Sequence, residues 1–70
     1  MPLVQIHMVS GRTENQKKQL LHAITDAIRD SIDAPIDSIR VWINEIGPTE
    51  FMTAGVLMAD KRAARAAEGA

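Results

Sequence analysis

The chain has no cysteine and no tyrosine, a single Trp and a single Phe, and no run of basic residues. Without cysteine, neither a disulfide nor a thiolate–metal site can staple a chain of 70 residues. Aromatics make up 3% and the net charge is −1. A nucleic-acid binder would instead show a basic face and stacking side chains. No apolar stretch approaches the ~20 residues that span a bilayer, and no signal peptide precedes the first apolar segment, so the expected location is the cytoplasm, with no membrane partner. His7 and His22 lack companions at ligand spacing, so no metal and no cofactor is expected.

What is present is aliphatic. Hydrophobic residues make up 46% of the sequence. A domain this small hides only ~60% of the surface its unfolded chain exposes, and the remedy left to it is oligomerisation. Part of the apolar surface is therefore read as subunit interface. The whole of 1–70 is expected to be one domain.

Pro2 to Val9 reads as a strand, with Val4, Ile6 and Met8 alternating against Gln5 and His7. Gly11-Arg12-Thr13 breaks it. Thr13 and Gln16 form a capping-box pair at a helix start, with Glu14 well placed in the first turn. Leu20, Ala23, Ile24, Ala27, Ile28 and Ile32 fall at helical spacing, and Pro35 stops the helix by Asp33 or Ala34. Ile39 to Ile46 is a second strand, ended by Gly47-Pro48. Two strands joined by such a helix form a right-handed βαβ unit with parallel strands, so the fold class is α+β. Phe51 to Met58, with Gly55 inside it, is expected to be a short hairpin or arm. The stretch 58–70 is read as a flexible or loosely helical tail. One helix covers one sheet face; the other carries Leu3, Val9, Trp42 and Ile46 and requires partner subunits.

Few residues here carry chemistry. Pro2 follows the initiator Met, whose removal would leave a free secondary amine. An α-amino group has a pKa of ~8, and burial or nearby cations move it toward neutrality at physiological pH, where it serves as a general base. The bland alternative is a proline beginning an edge strand, and for Pro2 taken alone that alternative is favoured. Arg12 and Arg40 sit at strand boundaries, unlike Lys17, Lys18 and Arg29, which read as ordinary solvated charges. A guanidinium grips a carboxylate bidentately or stabilises an enolate oxygen. The competing role is a surface ion pair, with Asp37 an obvious partner for Arg40. Phe51 reads by default as a core or interface anchor, and Trp42, on the strand face of Arg40, as interface or pocket wall.

Taken jointly, these residues resemble the 4-oxalocrotonate tautomerase family: Pro2 after Met1, Val4-Gln5-Ile6-His7, Gly11-Arg12-Thr13, Glu14-Asn15-Gln16-Lys17, Ala34-Pro35, Ser38-Ile39-Arg40-Val41, and Phe51 beyond the second strand. The resemblance covers Pro2 to about Gly55. It implies a cofactor-independent isomerase that converts a dienol such as 2-hydroxymuconate to its conjugated 2-oxo acid. It also implies a hexamer, built as a trimer of dimers from one chain or with a paralogue, acting on a dicarboxylate or 2-oxo acid. The implied roles are Pro2 as proton shuttle, Arg12 on the distal carboxylate, Arg40 at the carbonyl side, and Phe51 lining the apolar pocket that lowers the amine's pKa. Two other readings compete. In a related branch that dehalogenates or hydrates 3-haloacrylates, a glutamate follows the phenylalanine by two positions; Thr53 stands there and is no base. A chain that keeps Met1 would be a non-catalytic subunit. Met52-Thr53-Ala54-Gly55 and Gly47-Pro48-Thr49-Glu50 depart from the family pattern, as does the bulky Trp42.

Strand geometry bears on the site independently. Pro2 and Arg12 are separated along one strand by ~30 Å at ~3.3 Å per residue. If both meet one substrate, Arg12 comes from another chain. Arg40 begins the parallel strand at Pro2's end, where geometry permits the same subunit.

Overall fold

A computed structural model describes residues 1–68; the last two positions of the expected tail, 69 and 70, lie outside the described residues. The elements are β1 (Leu3–Val9), α1 (Glu14–Ile32), a single 3-10 turn (Ile36–Ser38), β2 (Arg40–Ile46), β3 (Met52–Thr53), β4 (Val56–Leu57) and α2 (Met58–Glu68). β1 and β2 pair in parallel from Leu3↔Arg40 to Val9↔Ile46, which is the expected βαβ unit.

The start of α1 follows from its first four residues. Thr13 Oγ1 accepts the Gln16 amide hydrogen at 3.1 Å, and Gln16 Oε1 accepts that of Thr13 at 3.0 Å. Both bonds of the capping box are made, satisfying two amides that a helix start would otherwise leave open. At the far end Asp33 caps the helix in the left-handed conformation, φ 54°, before Pro35, whose ring disfavours a helical residue ahead of it. The half-buried stripe of α1 differs from the expected one. Leu20, Ile24 and Ile28 face the sheet as read, but Leu21 and Thr25 join them while Ala23, Ala27 and Ile32 stay exposed. Thr25 tolerates this because its hydroxyl donates to the Leu21 carbonyl at 2.8 Å.

Ile39, expected to open the second strand, lies just before it and is the one buried hydrophobic residue among those described, 9% exposed. The 3-10 turn explains the shift. It holds Ile39 by a 3.3 Å bond from its amide to the Ile36 carbonyl, so ladder pairing begins only at Arg40. Lys17, read as a solvated charge, instead forms a 2.6 Å salt bridge to Glu45 and ties α1 to β2.

Beyond β2 the chain forms an arm. β3 and β4 pair antiparallel, with Thr53 opposite Val56, around a two-residue loop in which Ala54 (φ 52°) and Gly55 (φ 82°) both take positive φ. That is the type I′ geometry, whose twist matches the strands. Amide bonds from Met58 to the Phe51 carbonyl and from Ala59 to the Pro48 carbonyl turn the arm into α2. The tail is thus a defined helix as far as Glu68.

A 70-residue globule would have a radius of gyration near 11 Å; here it is 15.9 Å, with extents of 46 × 24 × 18 Å. The accessible surface is 5286 Å², roughly 1,000 Å² above that of a compact monomer of this mass. The excess is comparable to the ~800 Å² that one partner contributes to a standard interface.

Candidate active site

The parallel register sorts the sheet residues by face. Val4, Ile6, Met8, Val41 and Ile43 lie beneath α1. Leu3, Gln5, His7 and Val9 share the open face with Arg40, Trp42, Asn44 and Ile46. On that face Leu3 is 63% and Trp42 43% exposed. At its centre His7 Nδ1 and Asn44 Nδ2 approach to 3.3 Å.

Pro2 and Arg40 meet at one end of the sheet. The Arg40 amide donates to the Pro2 carbonyl at 3.1 Å, which sets the start of the parallel ladder and brings the two residues to one end of the sheet. The Arg40 guanidinium does not take the Asp37 carboxylate. Its Nη1 donates to the Asp37 backbone carbonyl at 2.6 Å and to that of Ile39 at 3.4 Å. Among the described residues it forms no salt bridge, so its full charge and its remaining N–H groups are open to a ligand. Met1 is 82% exposed and lies open to an aminopeptidase.

Arg12 is at the other end. Ser10 donates to Ile46 at 2.9 Å, marking the far limit of the ladder, and Arg12 lies beyond it on the turn before α1. Seven residues of β1 put about 23 Å of strand between the two ends. The structure thus brings together Pro2 and Arg40, and keeps Arg12 apart from them. Phe51 is 36% exposed at the base of the arm. Four clefts are lined by other residues than Pro2, Arg40, Trp42 and Phe51. A cleft of about 560 Å³ lies between α1 and the 36–41 segment, walled by Leu21, His22, Ile36, Ile39 and Val41. Its lining also includes the ionisable Glu14, Lys17, Lys18 and Asp26.

One cation was left in the tail by the sequence reading. Arg62, on α2, reaches back over Gly11 and shares a cleft with Arg12. Met58, Lys61, Arg62 and Arg65 recur at helical spacing, which places them on one face of α2.

Comparison with known proteins adds what one chain cannot display. Residues 2–61 match the family model described as tautomerase enzyme. A 2-hydroxymuconate tautomerase of Pseudomonas putida is 40% identical over 62 residues, covering 89% of this chain and 98% of the relative. One from Stutzerimonas stutzeri is 42% identical over 55 residues, 79% of this chain and 87% of its own. Among solved structures, a 4-oxalocrotonate tautomerase isozyme from Methylibium petroleiphilum superposes with a TM-score of 0.83 at 38% identity, covering 90% and 98% of the two chains. A heterohexameric 4-oxalocrotonate tautomerase from Chloroflexus aurantiacus does so with a TM-score of 0.80 at 35% identity, covering 86% and 97%.

Proposed function

The chain belongs to the tautomerase enzyme family, as an isomerase of the 4-oxalocrotonate tautomerase type, and from that premise we propose that it converts a dienol such as 2-hydroxymuconate to its conjugated 2-oxo acid with the Pro2 amine as general base. The observation that carries this reading is the pairing of Pro2 with Arg40. A 3.1 Å ladder bond joins their backbones at one end of the sheet, so an arginine whose guanidinium has no carboxylate partner among the described residues follows, in the ladder, the residue that becomes the amino terminus once Met1 is cut.

In this reading the neutral amine takes the proton of the dienol hydroxyl. The oxygen becomes the ketone, the double bonds shift by one position, and the amine returns the same proton to carbon at the far end of the diene. No atom is gained or lost, so no cofactor is needed. Arg40 donates to the oxygen as charge develops on it, where a donor contributes most to rate. Arg12 holds the distal carboxylate, and Phe51 and Trp42 wall the site. Cations and apolar walls both favour the neutral amine, which adjusts its proton affinity to work near neutral pH.

The strand length makes the site a joint product. Arg12 lies a full strand away from its own Pro2, so the Arg12 of a neighbour completes each site. The surface excess and the open sheet face support an assembly of several copies, and the hexamer of the family is the form we propose, from one chain or with a paralogue. Residues 1–70 then act as one domain.

Pro2→Ala tests the central claim. With Met1 removed from both proteins, verified by intact mass, kcat for 2-hydroxymuconate should fall at least ~10²-fold while assembly is unchanged. The wild-type kcat/KM should rise with pH through one ionisation below the ~8 of a free α-amine. Near-wild-type turnover by Pro2→Ala, or a flat profile from pH 5 to 9, would remove Pro2 from the mechanism. Retention of Met1 in the native host would favour the non-catalytic subunit instead.

A further inference from the structure

The centre of the open sheet face is held by a polar pair drawn from both strands. His7 and Asn44 stand opposite each other in the parallel register, and His7 Nδ1 lies 3.3 Å from Asn44 Nδ2. An amide nitrogen only donates, so the ring nitrogen facing it accepts, and the imidazole is neutral with its proton on Nε2. Along the strands the pair is flanked by Leu3, Gln5 and Trp42 on one side and by Val9 and Ile46 on the other.

The charges nearest the pair are of one sign. On the open face the other ionisable residue is Arg40, opposite Leu3, about 13 Å along β2 from Asn44. Past the far end of the face, Arg12 and Arg62 share a cleft with Val9. The carboxylates point elsewhere. Glu45 pairs with Lys17 on the side of α1. Glu50 folds over Gly47 beyond the end of β2, where a Cβ built on the glycine would stand 2.7 Å from its Oε1. The helix α1, with His22, covers the opposite face, and α2, with Asp60 and Glu68, packs on β4. Acid therefore adds a positive charge to a face that holds a cation and no carboxylate.

The occupant of this face is a second copy of the chain. The surface beyond that of a compact monomer, roughly 1,000 Å², matches one partner's share of a standard interface. Copies that meet symmetrically through the face bring the same residues to it, hence further His7 and Arg40 and again no carboxylate. We propose that His7 is an acid switch for assembly: copies pack on the open face while His7 is neutral and separate when it takes a proton. The proposal rests on the reading of the open face as subunit interface and names how that interface is regulated. The sign follows from burial. An imidazolium has two donors and no acceptor, so its contact with Asn44 Nδ2 becomes donor against donor. Turning the amide to offer its oxygen restores the bond but leaves an enclosed charge without a counter-charge, which is costly. The assembled state thus binds fewer protons than the separated one. Assembly is strongest above the ~6.5 of a free imidazole and weakens below it, by up to about tenfold in the dissociation constant per pH unit for each imidazole.

Sedimentation velocity reads assembly directly, whereas activity also follows the Pro2 amine. Wild type, His7→Gln and His22→Gln, the last replacing the chain's other histidine, are diluted in series at pH 7.5 and 5.5. The dissociation midpoint of wild type should move to a concentration at least ~10-fold higher at pH 5.5, one unit below the free imidazole. His22→Gln should follow wild type. His7→Gln keeps a neutral side chain that bonds Asn44 and should show one midpoint at both pH values. Equal acid dissociation in wild type and His7→Gln overturns the proposal, as does a wild-type midpoint that ignores pH. If His7→Gln fails to assemble at pH 7.5, the His7 ring resonance of wild type decides. It should titrate at lower pH in a concentrated, assembled sample than in a dilute, separated one, and equal titration midpoints overturn the proposal. Trp42→Asp distinguishes the switch from the interface it acts on. An intact oligomer in that variant removes both. Smaller species in Trp42→Asp beside a wild-type oligomer indifferent to pH remove the switch alone.

Discussion

The fourteen positions of β1 and β2 alternate between the two faces of the sheet, and both faces carry aliphatic side chains, yet they end in opposite conditions. Beneath α1, Val4, Ile6, Val41 and Ile43 are half-buried, while Leu3 and Trp42 on the other face remain exposed. Composition separates them only in part, since the open face adds Gln5, His7, Arg40 and Asn44 to its apolar Leu3, Val9, Trp42 and Ile46; the supply of covering structure accounts for the rest. One helix of 19 residues covers one face, and the remaining length goes into an arm whose residues are almost all exposed. The open face also holds the polar His7–Asn44 pair and, at one end, Arg40 beside Pro2. The covered face makes the chain a fold. The open face is where we propose that other copies pack and the active site forms.

The largest effect should come from breaking the open face. Trp42→Asp places a charge where a partner's apolar surface is expected, and a buried unpaired charge costs several kcal/mol. The variant should elute as smaller species in size-exclusion chromatography and lose at least ~10²-fold in activity, because incomplete sites forfeit their stabilising cation. Its circular dichroism should keep α1. An intact oligomer in Trp42→Asp would show that this face is not the interface.

Sharing across subunits can be tested without breaking either face. Pro2→Ala and Arg12→Ala subunits, each inactive or weak, are unfolded and refolded together. If a site takes Pro2 from one chain and Arg12 from its neighbour, about a quarter of the sites in a random mixture of equivalent subunits are wild type at both positions. Activity should rise toward that share. A mixture that stays at the mean of its parents would put Pro2 and Arg12 of one site on the same chain.

The smallest effect lies on the covered side. Thr13→Ala removes one bond of the capping box and should cost about 1 kcal/mol, read as a lower denaturation midpoint with kcat per assembled site unchanged. A loss of kcat without a loss of stability would mean that the start of α1 takes part in positioning Arg12.

Much of the covered side was legible because its signals are local. Alternation at Val4, Ile6 and Met8, the Thr13–Gln16 pair and the stop at Pro35 each act over a few residues, and all appear where the pattern put them. The details that moved were those set at a distance. Ile39 became the buried residue instead of a strand residue because the preceding 3-10 turn presses it inward. Lys17 left the solvent because Glu45, 28 positions later, comes within reach. Ala23 and Ala27 gave way to Leu21 and Thr25 because the sheet's position under α1 chooses among neighbouring stripes of one helix.

The candidate site divides in the same way. Pro2, Arg12, Arg40 and Phe51 stand out in the sequence by residue type together with their resemblance to a known family, and strand length alone keeps Arg12 from its own Pro2. That Arg40 pairs with the Pro2 backbone, that its guanidinium takes a carbonyl rather than the Asp37 carboxylate, and that Arg62 returns across some fifty residues to lie over Gly11 are consequences of tertiary contact. The sequence by itself determined the elements and the lack of enough chain to enclose them, because periodicity, capping and length are properties of the string. Which charges are satisfied and which are left open to a substrate was decided only in three dimensions, since that depends on which groups the fold brings within a few ångströms.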